Sequence, residues 1–360
     1  MARVAGFAQA ARGAPGPAGG WRTARYLRTR LIPSHLARGA DISATVGIDL
    51  GGTKLLAIRL EDGKIVEEQR SSNPGVADQL AGAVVEAVRG VMTPDVDAIG
   101  VGVAGLVQWP EGVFVWGPHV AGTSVPLRAA LEQEFDLPAL VDNDANGAAW
   151  AEHVAGAGRG YGDMLLVTLG TGIGGAIIVD DKLHRGKSFA GEFGHTMFER
   201  NGHRCACGKR GCWETVASGP ALVRLAREFI FQNPDGALAH RLGSEPFTGE
   251  AVTRAADEGD ETARGLVAQV GADLGRGLCN LIAILDPDII VVGGGLGSVG
   301  EALLGPARRV AADALHGRTH RGLPPIVVAE LGPAAGAAGA AMMAADLAAG
   351  RLVVNETALA

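Results

Sequence analysis

Hydrophobic and polar positions fall into a regular order only from Thr45 onward. Residues 46–50 form a short apolar run, Gly51-Gly52-Thr53-Lys54 a turn, and 55–60 a second run. An Asp-Gly turn within 61–64 leads to a third run at 65–69, so three antiparallel strands are predicted. Helical spacing at 76–92 and 125–135 predicts helices, with buried strands at 98–103 and 139–141 and a further helix starting near Ala145. The plan then restarts. A strand at 164–168 enters the turn Leu169-Gly170-Thr171-Gly172-Ile173-Gly174-Gly175, and a returning strand at 176–179 closes on Asp180-Asp181-Lys182. Laid over 48–64, this is the same strand, glycine turn, strand, acidic turn order. An internal repeat of about 120 residues therefore predicts two related units facing one another. Helices are predicted at 220–231, 248–256 and 261–284, with a polar loop reaching Phe247. A buried strand at 288–292 ends in Gly293-Gly294-Gly295, and 336–349 reads as an Ala-rich helix suited to tight packing.

Composition narrows the picture. The 360 residues include 55 glycines, roughly twice the usual share, without a Gly-X-Y period, which excludes collagen. The net charge of −7 argues against a nucleic-acid surface. Residues 1–40 nevertheless hold seven arginines and no Asp, Glu or Lys, so that segment is +7 and the remainder −14. With no apolar stretch for a secretory signal, residues 1–43 read as a disordered Arg-rich extension, with an organellar transit peptide as the other reading. No apolar run approaches a membrane span. Three of the four cysteines lie within 205–212, which reads as metal binding in a reducing, cytoplasmic compartment rather than a disulfide framework.

The glycine motifs differ in value. G-x-G-x-x-G begins at Gly100, Gly170 and Gly295; three hits in one glycine-rich chain discriminate little, and no P-loop is present. The repeated turns are better candidates. Glycines in Asp49-Leu50-Gly51-Gly52-Thr53-Lys54 free backbone N–H groups for a phosphate, while Thr53 and Lys54 add a donor and a charge. Gly170, Thr171 and Gly172 would do the same from the second unit. Two turns pinching a triphosphate, with Asp49 near a hydrated Mg²⁺, would make a phosphoryl-transfer site. Two ordinary tight turns are the plainer alternative.

Further on, Gly191-Glu192-Phe193-Gly194-His195 precedes Cys205-Ala206-Cys207-Gly208-Lys209-Arg210-Gly211-Cys212-Trp213-Glu214. His195, Cys205, Cys207 and Cys212 make a Cys₃His set suited to closed, structural Zn²⁺, although Cys-x-Cys is tighter than common finger spacing. Reduced thiols or a redox pair are the alternatives, and Cys279 reads as core. A zinc knot would fix the loop carrying Glu192 and Glu214, whose oxygens suit a polyhydroxyl ligand. Asn143 and Asp144 add an amide and a third carboxylate, with Asp144 either a general base or a helix N-cap.

Together these segments resemble the ROK family of sugar kinases and related repressors, within the actin-like ATPase (ribonuclease H-like) fold. The resemblance spans about residues 44–345, is strongest in the 191–195 and 205–214 motifs, and lies nearest the family's bacterial ATP-dependent glucokinases. It implies an α/β chain with a small unit at 44–143, completed by the C-terminal helix 336–350, and a large unit at 144–335 carrying the zinc loop. It further implies ATP phosphates at Asp49, Gly51, Gly52, Thr53, Lys54, Gly170, Thr171 and Gly172, with Gly294 and Gly295 toward the adenosine. Sugar contacts would come from Gly105, Asn143, Asp144, Glu192, His195 and Glu214. Asp144 would be the catalytic base, and His195, Cys205, Cys207 and Cys212 the zinc ligands. The implied activity is phosphorylation of the glucose 6-hydroxyl by ATP and Mg²⁺ in a homodimer or homotetramer, without nucleic-acid or membrane partners. Other members act on N-acetylmannosamine, fructose or mannose, use polyphosphate, or are sugar-responsive repressors. A repressor would need a helix-turn-helix domain where this chain has a Pro/Gly-rich stretch. One departure stands out: Gly117-Pro118-His119-Val120 occupies the place of a Pro-Asn-Leu-type segment common among the family's glucokinases.

Overall fold

A computed structural model describes residues 42–243 and 247–352; the arginine-rich extension, apart from its last two residues, lies outside the described residues. Strands β1 (Ala44–Leu50), β2 (Lys54–Glu61) and β3 (Lys64–Ser72) form an antiparallel meander. Helix α1 (Ala77–Val91) leads to β4 (Val96–Val103), parallel to β1. A separate ribbon of β5 (Leu106–Gln108), β6 (Val113–Trp116) and β7 (Val125–Pro126) follows. Then come α2 (Leu127–Phe135), β8 (Ala139–Asn143) parallel to β4, and α3 (Asp144–Ala155). The first sheet has the order β3-β2-β1-β4-β8.

The second sheet repeats that order. Strands β9 (Met164–Leu169), β10 (Ile173–Val179) and β11 (Lys182–Leu183) are antiparallel. Five helices follow: α4 (Glu214–Ala217), α5 (Gly219–Gln232), α6 (Ala237–Leu242), α7 (Gly249–Asp257) and α8 (Glu261–Leu285). Strand β12 (Ile289–Gly293) returns parallel to β9 and runs into α9 (Gly294–Gly297), α10 (Glu301–Ala314) and β13 (Ile326–Val328), which is parallel to β12. The order β11-β10-β9-β12-β13 matches the first sheet strand for strand. Ser218, Thr248 and Asp260 cap α5, α7 and α8, each typically contributing about 1 kcal/mol.

The last helix, α11 (Ala335–Ala348), lies on β1 and β4 because glycines leave room for it. A Cβ at Gly47 would stand 2.0 Å from the Ala337 carbonyl oxygen, and one at Gly100 1.9 Å from that of Ala340. Gly47 and Gly100 are register partners, so one glycine gap across two strands accepts the helix. No helix among the described residues is long and apolar enough to cross a membrane.

Local reading and structure part in several places. The turn predicted through Gly175 ends at Gly172, since Ile173 already pairs with Leu169. Gly174 and Gly175 are strand residues, and the latter is small because the Phe193 ring and Gly191 carbonyl crowd it. Residues 125–126 belong to β7, so the helix starts at Leu127. The polar loop contains α6, which buries Leu238 and Leu242, one helical turn apart. Cys279 is half-buried rather than fully in the core.

Candidate active site and metal centre

Both glycine turns sit at equivalent ends of their sheets. In the β1–β2 turn Gly51 donates its N–H to Lys54 O at 2.9 Å, and Thr53 and Lys54 are exposed. Asn73 was not singled out from the sequence, yet it anchors this turn: its Nδ2 donates to Gly51 O at 2.8 Å while its Oδ1 accepts from Gly75 N–H at 2.9 Å. The Asn-Pro-Gly stretch at 73–75 was its available signal. In the β9–β10 turn Gly170 N–H donates to Gly172 O at 3.0 Å, and the Gly219 N–H of α5 donates to Gly170 O at 2.9 Å. Gly294, with φ +80°, packs so tightly that a Cβ would stand 2.4 Å from Leu169 O; nothing lies within 4 Å of the Cβ position of Gly295. Strand β12 thus delivers Gly294 and Gly295 beside the Gly170–Gly172 turn.

Asp144 opens α3, but Asn143 is the N-cap, its Oδ1 accepting from Ala145 N–H at 2.9 Å. Asn143 Nδ2 donates to Gly105 O at 3.1 Å, which ties the cap to Gly105, where φ is +138°. Asp144 Oδ1 accepts from the same Ala145 N–H at 2.9 Å. Burial pushes the Asp144 carboxyl above its ordinary range, opposed by backbone N–H groups and by His119. Asp49, at the end of β1, is pushed up to about 7 by burial and then by the Asp144 charge. A Cβ at Gly336, in the first turn of α11, would stand 2.9 Å from Asp49 Oδ2. Glu192 is also raised, by burial first and by Asp144 and Glu214, with His195 opposing. These acids raise one another beyond the effect of burial, and a cation or hydroxyl donors would favour their ionised forms.

The zinc-type residues converge. The donor atoms of His195, Cys205, Cys207 and Cys212 all lie within 4.8 Å of one another. Cys207 Sγ and Cys212 Sγ are 3.6 Å apart, as are Cys205 Sγ and His195 Nδ1. A tetrahedral Zn²⁺ with Zn–S near 2.3 Å and Zn–N near 2.0 Å would have edges of about 3.5–3.8 Å, so the donor set fits the ion. His195 turns Nδ1 to the thiols and holds Nε2 3.9 Å from Glu192 Oε2. Glu214 lies behind: Oε1 accepts from the Cys205 thiol at 2.8 Å, and Oε2 accepts from Ile173 N–H at 3.4 Å. Trp213, buried, donates Nε1–H to Asp273 O at 3.1 Å and covers Gly277 of α8, docking the knot on the second unit.

His119 closes the opposite wall. Its ring lies against Gly52, where a Cβ would stand 2.6 Å from the imidazole Cδ2. A cavity of about 550 Å³ is lined by Gly75, Trp116, His119, Val120, Thr123 and Ala206, the last from between two zinc-type cysteines. The structure therefore brings the β1–β2 turn, His119 and Asp144 together on one side, with Gly172, Glu214 and His195 on the other.

Two sheets of one repeated order, each with a glycine turn at the same end, are the actin-like ATPase fold. The ROK family pattern matches residues 45–347, and the chain belongs to that family. It is 36% identical over 309 residues to a glucokinase of Streptomyces coelicolor, covering 84% of this chain and 98% of that protein. It is 35% identical over 258 residues to an N-acetylmannosamine kinase of Vibrio cholerae, covering 70% of this chain and 84% of that one. Among solved structures, a ROK glucokinase from Streptomyces griseus in complex with glucose and AMPPNP superposes with a TM-score of 0.78 at 38% identity. That match covers 84% of this chain and 99% of the other.

Proposed function

We propose that this chain is an ATP-dependent glucokinase that transfers the γ-phosphoryl group of ATP to the 6-hydroxyl of glucose. The observation that carries the reading is the placement of Asp144. The carboxylate starts α3 with a raised proton affinity, feels His119 from the Gly52 side, and shares its field with Glu192. A base there accepts the hydroxyl proton as the oxygen attacks in line, and a raised pKa improves its match to that task at neutral pH. Asn143, Gly105, Glu192, His195 and Glu214 bind the sugar hydroxyls, with carboxylates accepting and amide or imidazole N–H donating. Backbone N–H groups of Gly52 and Gly172, with Thr53 and Lys54, hold the phosphates in turns that Gly51 and Gly170 close through their own N–H groups; Gly294 and Gly295 face the adenosine.

Asp49 would hold hydrated Mg²⁺, which supplies charge neutralisation on the phosphates when bound. The Cys₃His set would hold Zn²⁺ with all four positions filled, so its role is to fix the loop carrying Glu192 and Glu214. The two units are read as 44–143 with α11, and 144–335. The same reading places the protein in the cytoplasm as a homodimer or homotetramer, which light scattering measures.

His119 favours one second reading, a kinase for another sugar such as N-acetylmannosamine, mannose or fructose. It stands in the loop where many family glucokinases carry Asn, and one exchanged contact in a polar pocket redirects selectivity. A coupled ADP-release assay over a sugar panel, with ATP and polyphosphate compared, decides between them. Highest kcat/KM on glucose with ATP supports the first reading. Preference for another sugar installs the second, and no turnover with any sugar overturns both.

A further inference from the structure

Beside the base-bearing junction lies a buried ion pair that the chemistry above does not use. Arg185 Nε donates to Asp142 Oδ2 at 2.7 Å, with the two side chains only 10% and 2% exposed. Asp142 is the residue before the Asn143–Asp144 pair. Its Oδ1 accepts from Asn143 N–H at 2.8 Å and from Asn146 Nδ2 at 2.8 Å, so one carboxylate grips both the strand end and the first turn of α3. Arg185 fixes the other oxygen of that carboxylate.

Arg185 is itself held in place. Its guanidinium stacks over the Trp109 ring, 3.9 Å from the centroid, and Trp109 exchanges hydrogen bonds with Ser188: N–H to Oγ at 3.2 Å, and Oγ–H to the carbonyl at 3.3 Å. The Arg185 carbonyl accepts from Ser188 N–H at 3.0 Å and from Ala190 N–H at 3.1 Å, shaping the turn that launches Gly191 and Glu192. One residue thus touches the support of Asp144 and starts the loop of Glu192. The backbone carbonyl shapes the loop, while the planar guanidinium stacks on Trp109 and donates in its plane to Asp142 at once, which ties that loop to the support of Asp144.

We propose that Arg185 is a positioning residue that sets Asp144 and Glu192 at a fixed separation, through Asp142 on one side and its own turn on the other. The proposal rests on the kinase reading, since it needs Asp144 to be the base and Glu192 to hold the sugar. A pair kept only for folding would cost stability when broken but leave the turnover of folded protein unchanged. A positioning pair would cost turnover, because misplacing reacting groups by about 1 Å lowers rates on the order of a hundredfold.

The test compares Arg185→Gln, Arg185→Lys, Asp142→Asn and the double variant Arg185→Gln/Asp142→Asn with wild type on its best sugar, alongside zinc content and thermal melting. In folded, zinc-loaded protein, Arg185→Gln should lower kcat about a hundredfold and raise the sugar KM, with the ATP KM within about twofold. Arg185→Lys, which retains charge without the planar fork, should recover about tenfold of that loss. The double variant should be no slower than Arg185→Gln, since both lesions break one pair. If Arg185→Gln does not fold, Asp142→Asn carries the comparison, because it preserves shape while weakening the pair. An active wild type with variant kcat within about threefold overturns this inference alone, as does a double variant whose losses multiply. A wild type inactive on every sugar overturns the kinase reading and this inference with it.

Discussion

Gly339 of α11 and Gly147 of α3 cross so closely that a Cβ at position 339 would stand 1.7 Å from the Gly147 carbonyl oxygen. This contact seats the helix that begins with Asp144 against the helix whose first turn abuts Asp49. The spacing of two acids in the site therefore depends on an absent methyl group.

Gly339→Ala should destabilise the protein by about 1–3 kcal/mol, because the backbone must shift to admit the methyl. Gly82, inside α1 with nothing within 4 Å of its Cβ position, is the contrasting case. There alanine should stabilise by about 0.4–1 kcal/mol through the unfolded chain and helix propensity. Denaturant melts of the two variants measure both signs, and equal effects would contradict the packing account.

Asp144→Asn should bind sugar with nearly unchanged affinity while losing about 10²–10⁴ in kcat. Titration calorimetry with the sugar and steady-state turnover read the two quantities separately. Near-normal turnover would remove Asp144 from the role of base. The raised proton affinity of Asp144 has a further consequence: in the wild type, turnover should fall with acidification at a higher pH than an ordinary carboxylate would require.

Asp49 makes stability depend on pH in an unusual direction. Its folded value near 7 lies above the reference of 3.8, so between those values the folded state holds a proton that the unfolded state has released. Stability from this group is fully present below about pH 4 and is lost as pH rises toward 7, by at most about 1.4 kcal/mol per pH unit. Asp49→Asn should flatten that fall in ligand-free melts followed across the same range. An unchanged slope would show that Asp49 titrates normally.

Removing the metal should act on structure and sugar binding together. Chelation, or Cys207→Ser, should release zinc, lower the melting temperature and weaken sugar affinity, because His195 and the Glu192 and Glu214 loops lose their common anchor. Metal analysis, melting and sugar titration on one sample check this. A zinc-free chain that stays folded and active would exclude the structural role.

Much of the candidate site was legible along the chain because its parts are local. The Cys₃His set lies within eighteen residues, and each glycine turn joins two adjacent strands, so spacing alone was informative. The repeat at 48–64 and 164–182 likewise anticipated two sheets of equal order. The ribbon β5–β7 was missed because its strands are two to four residues long, too short for alternation to register. Asn73 was missed because its partner Gly51 is 22 residues away.

Taken alone, then, the amino-acid sequence determined the strand–turn–strand plan and the His/Cys cluster, both written in neighbouring residues. The tertiary structure decided which glycines were turns and which were contact points, as at Gly175 under Phe193 and Gly339 over Gly147. It also decided that Arg185 would meet Asp142 across 43 positions and that His119 would rest on Gly52. A glycine has the same letter in either use, and a buried pair has no period; only the packing of distant segments distinguishes them.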